Sequence, residues 1–415
     1  MPNSLPVTGN TEITEPENRA FYPALDGLRA VAFLMVFFWH YVAMPWGWAG
    51  VNIFFVISGF LITGILFDTR HDRHRVRNFY LRRALRIFPL YYGVLVALLL
   101  LYPLAHWQLS WQWLVWPGFV GNFPAYLHPY VEGSASQHLA DFKLTANHVA
   151  FYSPLNLGHF WSLCVEEQFY LFWPWVVFWV RDRRMLVWIC AASVPLCLFA
   201  RILGSNLLPR WMLEQGVLSH LTLFRVDDLL MGGLIALLLR GPMARGMLRW
   251  SRVAAPIAFA IVTIWFCVTP VRHFAAVPYP YPQTMPTWGF TAISALTGLV
   301  MLVAIQPGTV LFRTLGLYPL RWMGRISYGA YVFHDILHVT YGHVLYHIAI
   351  RVLPRDGVIV RAIYANLELQ VVTFALLVTV LLAWLSFRFY ETPFLNLKER
   401  WTIRSRHTGN RERAC

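Results

Sequence analysis

Charged residues are scarce in this chain, and cysteine is scarcer still. Asp, Glu, Lys and Arg make up 13% of the 415 residues, against about 25% in soluble globular proteins. The five cysteines include no C-x-x-C pair and no metal-binding spacing, which excludes a disulfide scaffold. Apolar residues reach 58% and occur in runs near the length that crosses a bilayer. The composition excludes a disordered chain and a soluble nucleic-acid binder, and predicts a polytopic membrane protein.

Several common sequence motifs are also missing. The sequence has no G-x-S-x-G turn, Walker loop or G-x-G-x-x-G dinucleotide turn, so it is not expected to hydrolyse nucleotides itself. Residues 1–20 are polar and lack the basic n-region of a secretory signal. The first apolar run is therefore expected to stay in the membrane.

Runs of about 20 apolar residues predict ten transmembrane helices in an all-α bundle. Their predicted limits are 26–44, 49–67, 87–105, 158–180, 185–203, 218–240, 253–270, 287–306, 325–348 and 368–390. With both termini cytoplasmic, 24 of the 34 Lys and Arg residues fall in cytoplasmic segments and six in outer segments. This split follows the positive-inside rule, and it explains the net charge of +14 without nucleic acid. The chain then divides into a cytoplasmic N-terminal tail, a membrane domain and a basic cytoplasmic C-terminal tail, at 1–24, 25–394 and 395–415.

Two further segments have predicted roles. Residues 107–123 are apolar but short, rich in Trp and broken by Pro117, which predicts an interfacial segment, because tryptophan favours that depth. The outer stretch 106–157 is too long for a simple connection and is expected to cover a site.

Charged side chains in membrane spans are costly and usually face the protein interior, so they are the candidate functional residues. The first predicted helix contains Arg29 and His40. Eleven residues make almost three helical turns, so the two side chains share one face, about 16 Å apart along the axis. Considered alone, Arg29 could instead extend its guanidinium group to the lipid headgroups at the inner surface. The pair on one face favours a functional role.

Three arginines, Arg82, Arg83 and Arg86, precede the third predicted helix. Arg83 and Arg86 are one helical turn apart, so their guanidinium groups can converge on one anion, and arginine matches the geometry of phosphate oxygens. The alternative is charge that only sets topology. With Arg29, these three are the candidate cofactor-binding residues.

The fourth predicted helix contains adjacent carboxylates, Glu166 and Glu167, at a depth similar to that of His40. Their side chains point about 100° apart, so one can face the interior while the other contacts a neighbouring helix. A carboxylate beside a histidine fixes the tautomer of the ring. Glu166 and Glu167 are therefore predicted to act with His40 in catalysis. The alternative is a salt bridge between helices, for example with Arg225.

Polar groups also lie in the sixth and ninth predicted helices. Arg225, Asp227 and Asp228 can neutralise one another, which favours a structural role, and Arg225 and Asp228 are also candidate substrate contacts. His334 lies near mid-membrane, where it can join the His40 face and contact the substrate. His334 and His338 have the i,i+4 spacing of metal ligands, but no H-E-x-x-H motif or third ligand is evident. No metal site is predicted.

Several segments, in their order, resemble the acyltransferase 3 family of integral membrane acyltransferases. The matching pieces are the Arg29-to-His40 helix, GVNIFFVISGFLIT, FYLRRALRIFP, GHFWSLCVEEQFY, FRVDDLLMGG, ISYGAYVFH and FYETPF. They cover residues 25–394. The resemblance implies ten helices and the transfer of acyl groups, often acetyl, from cytosolic acyl-coenzyme A. The implied acceptors are sugar hydroxyls of surface polysaccharides, glycolipids or glycosylated metabolites.

The resemblance also implies roles for individual residues. Arg29 and His40 match the family's first-helix pair, Arg83 and Arg86 its R-x-x-R motif, and Glu167 a characteristic glutamate. Acyl-CoA is expected as a co-substrate, with no permanently bound cofactor. The expected partners are a carbohydrate or glycolipid acceptor and the lipid bilayer, in a bacterial inner membrane, and no fused esterase-like domain is expected.

The predicted mechanism uses His40 as general base, oriented by Glu166 or Glu167, on a hydroxyl that attacks the thioester. A covalent acyl-histidine is a variant. A competing hypothesis is a transporter or flippase of a sugar-containing or lipid substrate, because buried charges also mark transport paths. The arginine cluster and the lack of evident repeat symmetry favour the enzyme. A lipid-binding scaffold would explain the basic inner face but not the polar groups at depth.

Overall fold

The fold is a bundle of α-helices. A computed structural model describes residues 22–44, 46–101, 114–123, 157–214, 216–269, 271–272, 281–282, 284–336 and 367–402. Within these ranges the α-helices are α1 Pro23–Val42, α2 Ala49–Asp68, α3 Arg75–Leu101, α4 Trp161–Trp179, α5 Arg183–Leu207, α6 Arg210–Glu214, α7 Val217–His220, α8 Val226–Leu238, α9 Ala244–Val268, α10 Phe290–Ala304, α11 Val310–Leu315, α12 Tyr318–Phe333, α13 Leu367–Leu385 and α14 Thr392–Trp401.

Shorter elements connect these helices. Turns of 3-10 helix precede α4 and α8, and π-helical turns precede α10 and α14, at Gly158–Phe160, Thr222–Phe224, Met285–Gly289 and Ser386–Glu391. Strands β1 Val271–Arg272 and β2 Tyr281–Pro282 form one short antiparallel pair.

Seven helical segments of the described chain are long and apolar enough to cross a membrane. They are Pro23–Val42, Ala49–Asp68, Arg75–Leu101, Arg183–Leu207, Ala244–Val268, Met285–Ala304 and Leu369–Lys398. Each corresponds to one of the ten predicted spans, and the prediction of an all-α multi-pass membrane bundle is confirmed.

The other three predicted spans differ from the structure in length or polarity. The fourth, α4, contains Glu166 and Glu167, and α8 has only 13 residues and carries two aspartates in its first turn. The helix α12 ends at Phe333, and residues 337–348 of the ninth predicted span lie outside the described chain. Charged residues in α4 and α8 lower the hydropathy of these segments relative to the other spans.

Two helices begin well before their predicted spans. Arg75 starts α3 and Ala244 starts α9, whereas the apolar runs predicted starts at 87 and 253. The first turns of both helices are basic, so a search for apolar residues finds only the membrane-spanning part of each helix.

Close helix packing holds α2 against α8. A Cβ atom at Gly59 would overlap the carbonyl oxygen of Leu229, and one at Gly232 would overlap that of Val56. Glycines at these positions let the two backbones approach closely, as is common between membrane helices.

A buried ion pair joins α5 to α8 in the same region. Arg201 is fully buried and forms a bidentate pair with Asp227, with both N–O distances 2.8 Å. Its remaining donors bond the carbonyls of Thr287 and Phe224 and the hydroxyl of Thr291. All five guanidinium N–H groups thus have acceptors, which offsets the cost of burying the charge.

Helices α1 and α12 lie side by side and run in the same direction. A Cβ at Gly324 would meet the carbonyl of Asp26 near the start of α1, whereas His334 contacts His40 near its end. Arg29 and His40 therefore both face α12. This parallel pair positions the candidate site.

Candidate active site

Two adjoining cavities lie beside the N-terminal half of α1, and we call them the arginine cavities. The first has a volume of about 310 Å³ and contains three arginines, Arg29, Arg86 and Arg325, from three different helices. Its acidic residues are Asp26 and Glu391. Three cations from α1, α3 and α12 around one space can bind an anionic ligand.

The second cavity has a volume of about 280 Å³ and lies deeper along the bundle. It shares four lining residues with the first: Arg29, Leu61, Arg86 and Tyr328. Arg83, Lys398, Glu166 and Glu167 also line it. The rest of the lining combines hydroxyl-bearing side chains with apolar ones from α2, α3 and α4, including Ser58, Ser162, Tyr170, Ser327, Tyr331, Val51, Phe54, Phe55, Ile62 and Leu163.

The structure thus brings together five of the predicted site residues: Arg29, Arg83, Arg86, Glu166 and Glu167. Arg83 and Arg86 face the same cavity, as their spacing predicts, and both glutamates reach it although they are adjacent in sequence. Arg82, the fourth predicted cofactor-binding residue, lines neither of the two cavities.

Some polar atoms in the second cavity are hydrogen-bonded within the protein, and two others are available to a ligand. The hydroxyls of Ser58 and Tyr170 are hydrogen-bonded to each other, and the Arg83 guanidinium lies 5.7 Å from the Tyr170 ring centroid. In contrast, Glu167 Oε1 and the Ser327 hydroxyl are buried without a hydrogen-bond partner. Buried polar atoms are rarely left unpaired in native proteins, so these two atoms fit contacts to a bound molecule.

A second group of ionisable side chains lies toward the C-terminal end of α1, and we call it the histidine cluster. It consists of His40, His159, His334 and Asp335. The ring centroids of His40 and His334 are 5.0 Å apart, and those of His159 and His334 are 4.9 Å apart. His159 Nδ1 lies 3.6 Å from Asp335 Oδ2. His159, His334 and Asp335 are all buried.

The hydrogen bonds of the cluster assign its tautomers. His334 Nδ1 lies 2.7 Å from the Tyr331 carbonyl oxygen, which can only accept, so this nitrogen bears the hydrogen. In the neutral ring His334 Nε2 is then the acceptor, and its contact with His40 Nδ1 at 3.1 Å places a hydrogen on the latter atom. The same nitrogen lies 3.0 Å from the Val36 carbonyl oxygen. The lone pair of His40 therefore lies on Nε2, the nitrogen suited to accept a proton.

The partner of His40 in the structure is not the one that the sequence predicted. Among the described residues, the hydrogen bonds of His40 run to Val36 and His334, whereas Glu166 and Glu167 line a cavity with the arginines. The predicted glutamate–histidine contact is replaced by a contact between two imidazoles. The helix that lies against His40 is α12, which contains His334, whereas the glutamates of α4 lie with Arg29 and Arg83.

Tyr331 and Ser162 separate the second arginine cavity from the histidine cluster. Both line the cavity, and their hydroxyl oxygens are 2.5 Å apart. The Tyr331 hydroxyl also donates to the His159 carbonyl at 3.0 Å. On its other side, the Tyr331 ring packs 5.3 Å from the His334 ring and 5.6 Å from the His159 ring. The two parts of the site are adjacent and meet at this tyrosine.

Arg225 and Asp228 lie outside both cavities. Arg225 Nε donates to Asp228 Oδ2 at 2.7 Å, and its guanidinium stacks on Phe290 at 3.8 Å. Asp228 also accepts from the hydroxyl of Ser294 and the amide of Asn52. These contacts fit the structural role considered for this cluster, and they replace the alternative salt bridge from a glutamate to Arg225.

Sequence reasoning missed several residues of the site: His159, Ser162, Tyr331 and Asp335 near the histidines, and Arg325, Glu391 and Lys398 near the arginines. The dipeptide His334–Asp335 was a usable signal, because it puts a carboxylate directly beside a predicted site histidine. His338 lies outside the described residues, as does most of the outer stretch 106–157. In the part of the chain that the structure describes, no group of three or more His, Cys, Asp or Glu side chains is arranged to hold a metal ion.

Comparison with known proteins identifies the family. Residues 22–388 match the model of a family described as an acyltransferase domain. The chain belongs to this family, and the resemblance drawn from its motifs is confirmed. It is a multi-pass membrane protein with the acyltransferase domain.

Curated relatives of the chain are O-acetyltransferases by name. The peptidoglycan O-acetyltransferase OatA of Listeria monocytogenes is 27% identical over 414 residues, covering 91% of this chain and 56% of the relative. The putative peptidoglycan O-acetyltransferase YrhL of Bacillus subtilis is 28% identical over 396 residues, covering 91% and 55%. A putative O-acetyltransferase of Staphylococcus aureus strain COL is 25% identical, covering 92% and 58%. The chain spans a little over half the length of these relatives. No solved structure matches it significantly.

Proposed function

We propose that this protein transfers an acetyl group from acetyl-coenzyme A to a sugar hydroxyl of a bacterial surface polysaccharide. The carrying observation is that an arginine-lined space and a histidine cluster lie along the same parallel helix pair, α1 and α12. Arg29 and His40 mark the two ends, about 16 Å apart. The names of the relatives support acetyl as the transferred group and peptidoglycan as the acceptor to test first. The proposed location is the bacterial inner membrane.

The arginine cavities suit the donor. Coenzyme A is anionic through its phosphates, and arginine binds phosphate oxygens with two parallel hydrogen bonds. Arg86 and Arg325 stand at the first cavity, and Arg83 and Lys398 at the second. The pantetheine arm of the donor would extend into the second cavity. There Glu167 Oε1 can accept a hydrogen bond from its amides and the Ser327 hydroxyl can donate one. The thioester then points toward Tyr331.

The histidine cluster suits the acceptor. The hydroxyl of a sugar donates its proton to His40 Nε2, and its oxygen attacks the thioester carbonyl carbon. The new C–O bond forms as the C–S bond breaks, and coenzyme A leaves as a thiolate. Tyr331 lies between the second arginine cavity and the histidine cluster, so its side chain must turn aside during the proposed reaction. In the acyl-histidine variant, His40 Nε2 attacks first and the hydroxyl follows.

The test is a reconstituted transfer assay. Purified protein in sealed lipid vesicles is given acetyl-CoA labelled in the acetyl group, with short peptidoglycan strands or other sugar acceptors. We expect release of free thiol that depends on acceptor, and an ester-linked acetyl group on the glycan by mass spectrometry. His40→Ala should abolish both while leaving expression intact. Uptake or flipping of a labelled sugar without consumption of thioester would instead establish the transporter hypothesis, and an acetylated His40 in the acceptor-free enzyme would establish the covalent variant.

A further inference from the structure

The histidine cluster contains more ionisable groups than one general base requires. His40 is the residue nearest to the proposed acceptor, and His334 contacts it directly, followed by His159 and then Asp335. His159, His334 and Asp335 are almost inaccessible to solvent, at 4%, 0% and 1% exposure. Ionisable groups inside a membrane protein are costly and are usually retained for a function. We propose that His334 is a proton relay for His40, and that Asp335 compensates the charge that His334 then carries. This inference rests on the proposed acyl transfer.

The direction of the hydrogen bond between the two rings carries the relay. In the resting tautomers, His40 Nδ1 donates to His334 Nε2 across 3.1 Å. When His40 Nε2 takes the proton of the acceptor hydroxyl, the Nδ1–H bond of His40 can break as a new N–H bond forms at His334 Nε2. His40 then returns to a neutral ring with its hydrogen on Nε2. The positive charge has moved one residue away from the acceptor, onto His334.

A charge on His334 needs a counter-charge, because the residue is fully buried. His334 Nδ1 remains bonded to the Tyr331 carbonyl at 2.7 Å, and both nitrogens then donate. A buried cation is tolerated when an anion lies close to it. Asp335 follows His334 directly in the chain and is the carboxylate of this cluster, whereas Glu166 and Glu167 face Arg29 and Arg83 in the second arginine cavity.

His159 links Asp335 to the other rings and acts as a positioning residue. Its Nε2 lies 3.1 Å from the Val332 carbonyl oxygen, so this nitrogen bears the hydrogen in the neutral ring. The lone pair on Nδ1 then faces Asp335 Oδ2 at 3.6 Å. The ring packs edge-on against His334 at 4.9 Å. His159 thus packs against both the carboxylate and the His334 ring.

Replacing His334 with glutamine separates the relay from simple orientation. In His334→Gln the side-chain oxygen can still accept from His40 Nδ1, so the base stays oriented, but the amide cannot take up the proton. We expect kcat for acetyl transfer to fall about 100-fold or more, with the KM for acetyl-CoA unchanged, because His334 lies outside both arginine cavities. Tyr41→Phe is the matched control, since it removes a hydrogen bond to the His334 carbonyl and keeps the His334 ring.

Solvent isotope effects test the number of protons in motion. Rates in mixtures of H₂O and D₂O should give a curved dependence on deuterium fraction in the unmodified protein, because two protons move together, and a linear one in His334→Gln. A curved dependence that persists in His334→Gln, or full activity of that variant, would overturn the relay while leaving acyl transfer in place. Failure of the unmodified protein to transfer any acetyl group would overturn both.

Variants of Asp335 test whether its negative charge is required and whether it acts through His334. Asp335→Asn should lower kcat without changing the KM for acetyl-CoA, and Asp335→Glu should restore part of the loss. Asp335→Asn added to His334→Gln should cost little more, because the carboxylate acts on a charge that the variant no longer forms. Losses that multiply in the double variant, or an Asp335→Glu variant as slow as Asp335→Asn, would overturn this role.

Discussion

The division of the site into two parts makes a strong kinetic prediction for His40 and Arg86. Arg86 lines both arginine cavities and contacts neither the histidines nor the proposed acceptor position. His40 lies beyond Tyr331 and lines neither cavity. Arg86→Gln should therefore raise the KM for acetyl-CoA, whereas His40→Asn should lower kcat and leave that KM unchanged.

The size of each effect follows from the contact that is lost. Hydrogen bonds to a charged group contribute about 1.5–3 kcal/mol, so removing the Arg86 guanidinium from a phosphate should raise KM about 10- to 100-fold. General base catalysis contributes about 100- to 10,000-fold. Loss of the His40 imidazole should lower kcat by that factor, which corresponds to about 3–5 kcal/mol.

Steady-state thiol release at varied acetyl-CoA and saturating acceptor measures both constants. The matched controls are Arg73→Gln and His71→Asn, which change an exposed arginine and an exposed histidine between α2 and α3. Neither control should change KM or kcat by more than about twofold, since surface substitutions have small effects. A raised KM for acetyl-CoA in His40→Asn, or a lower kcat with unchanged KM in Arg86→Gln, would refute the separation of donor and base.

Three further predictions concern the packing around the site. Asp227→Asn leaves the Arg201 guanidinium buried without its counter-ion, which should cost about 3–5 kcal/mol of folding stability. The melting temperature in detergent, measured by differential scanning fluorimetry, should fall. Replacing both residues with an uncharged pair of similar volume should restore it. Gly59→Val should push α2 away from α8, cost about 1–3 kcal/mol and reduce the monodisperse fraction in size-exclusion chromatography. Tyr331→Ala should open the boundary between the second arginine cavity and the histidine cluster and raise acetyl-CoA hydrolysis without acceptor, measured as thiol release; an unchanged hydrolysis rate would show that Tyr331 does not separate the two parts.

The membrane bundle was largely predictable because a bilayer imposes a length on every span. Runs of apolar residues located the seven long spans, the cost of intramembrane charge selected Arg29 and the two glutamates, and the one-turn spacing selected Arg83 and Arg86. All five side chains line one cavity. The same logic failed where helices are polar or continue beyond the membrane. α3 extends to Arg75 in a basic segment, and that extension positions Arg83 and Arg86.

The contacts between helices were not predictable from periodicity. The spacing of Arg29 and His40 establishes that they share a face of α1, but it does not say which helix that face contacts. The predicted depth of Glu166 matches that of His40, but Glu166 lines a cavity with Arg29, toward the other end of α1. Neighbours in a bundle are set by packing, and here the facing helix is α12: Asp26 meets Gly324 at one end and His40 meets His334 at the other.

The packing of α1 against α12 also places the proposed donor binding and the proposed proton transfer on one helix pair. At one end of α12, Arg325 joins Arg29 at the first cavity; at the other, His334 bonds His40. Because α1 and α12 are parallel, the proposed phosphate contacts and the proposed proton acceptor lie at opposite ends of one helix pair. The element that must move is the side chain of Tyr331, which lies on α12 between these ends. In the proposed reaction, the residue between donor and base thus belongs to a helix that contributes to both parts of the site, and rotation of its side chain would join them.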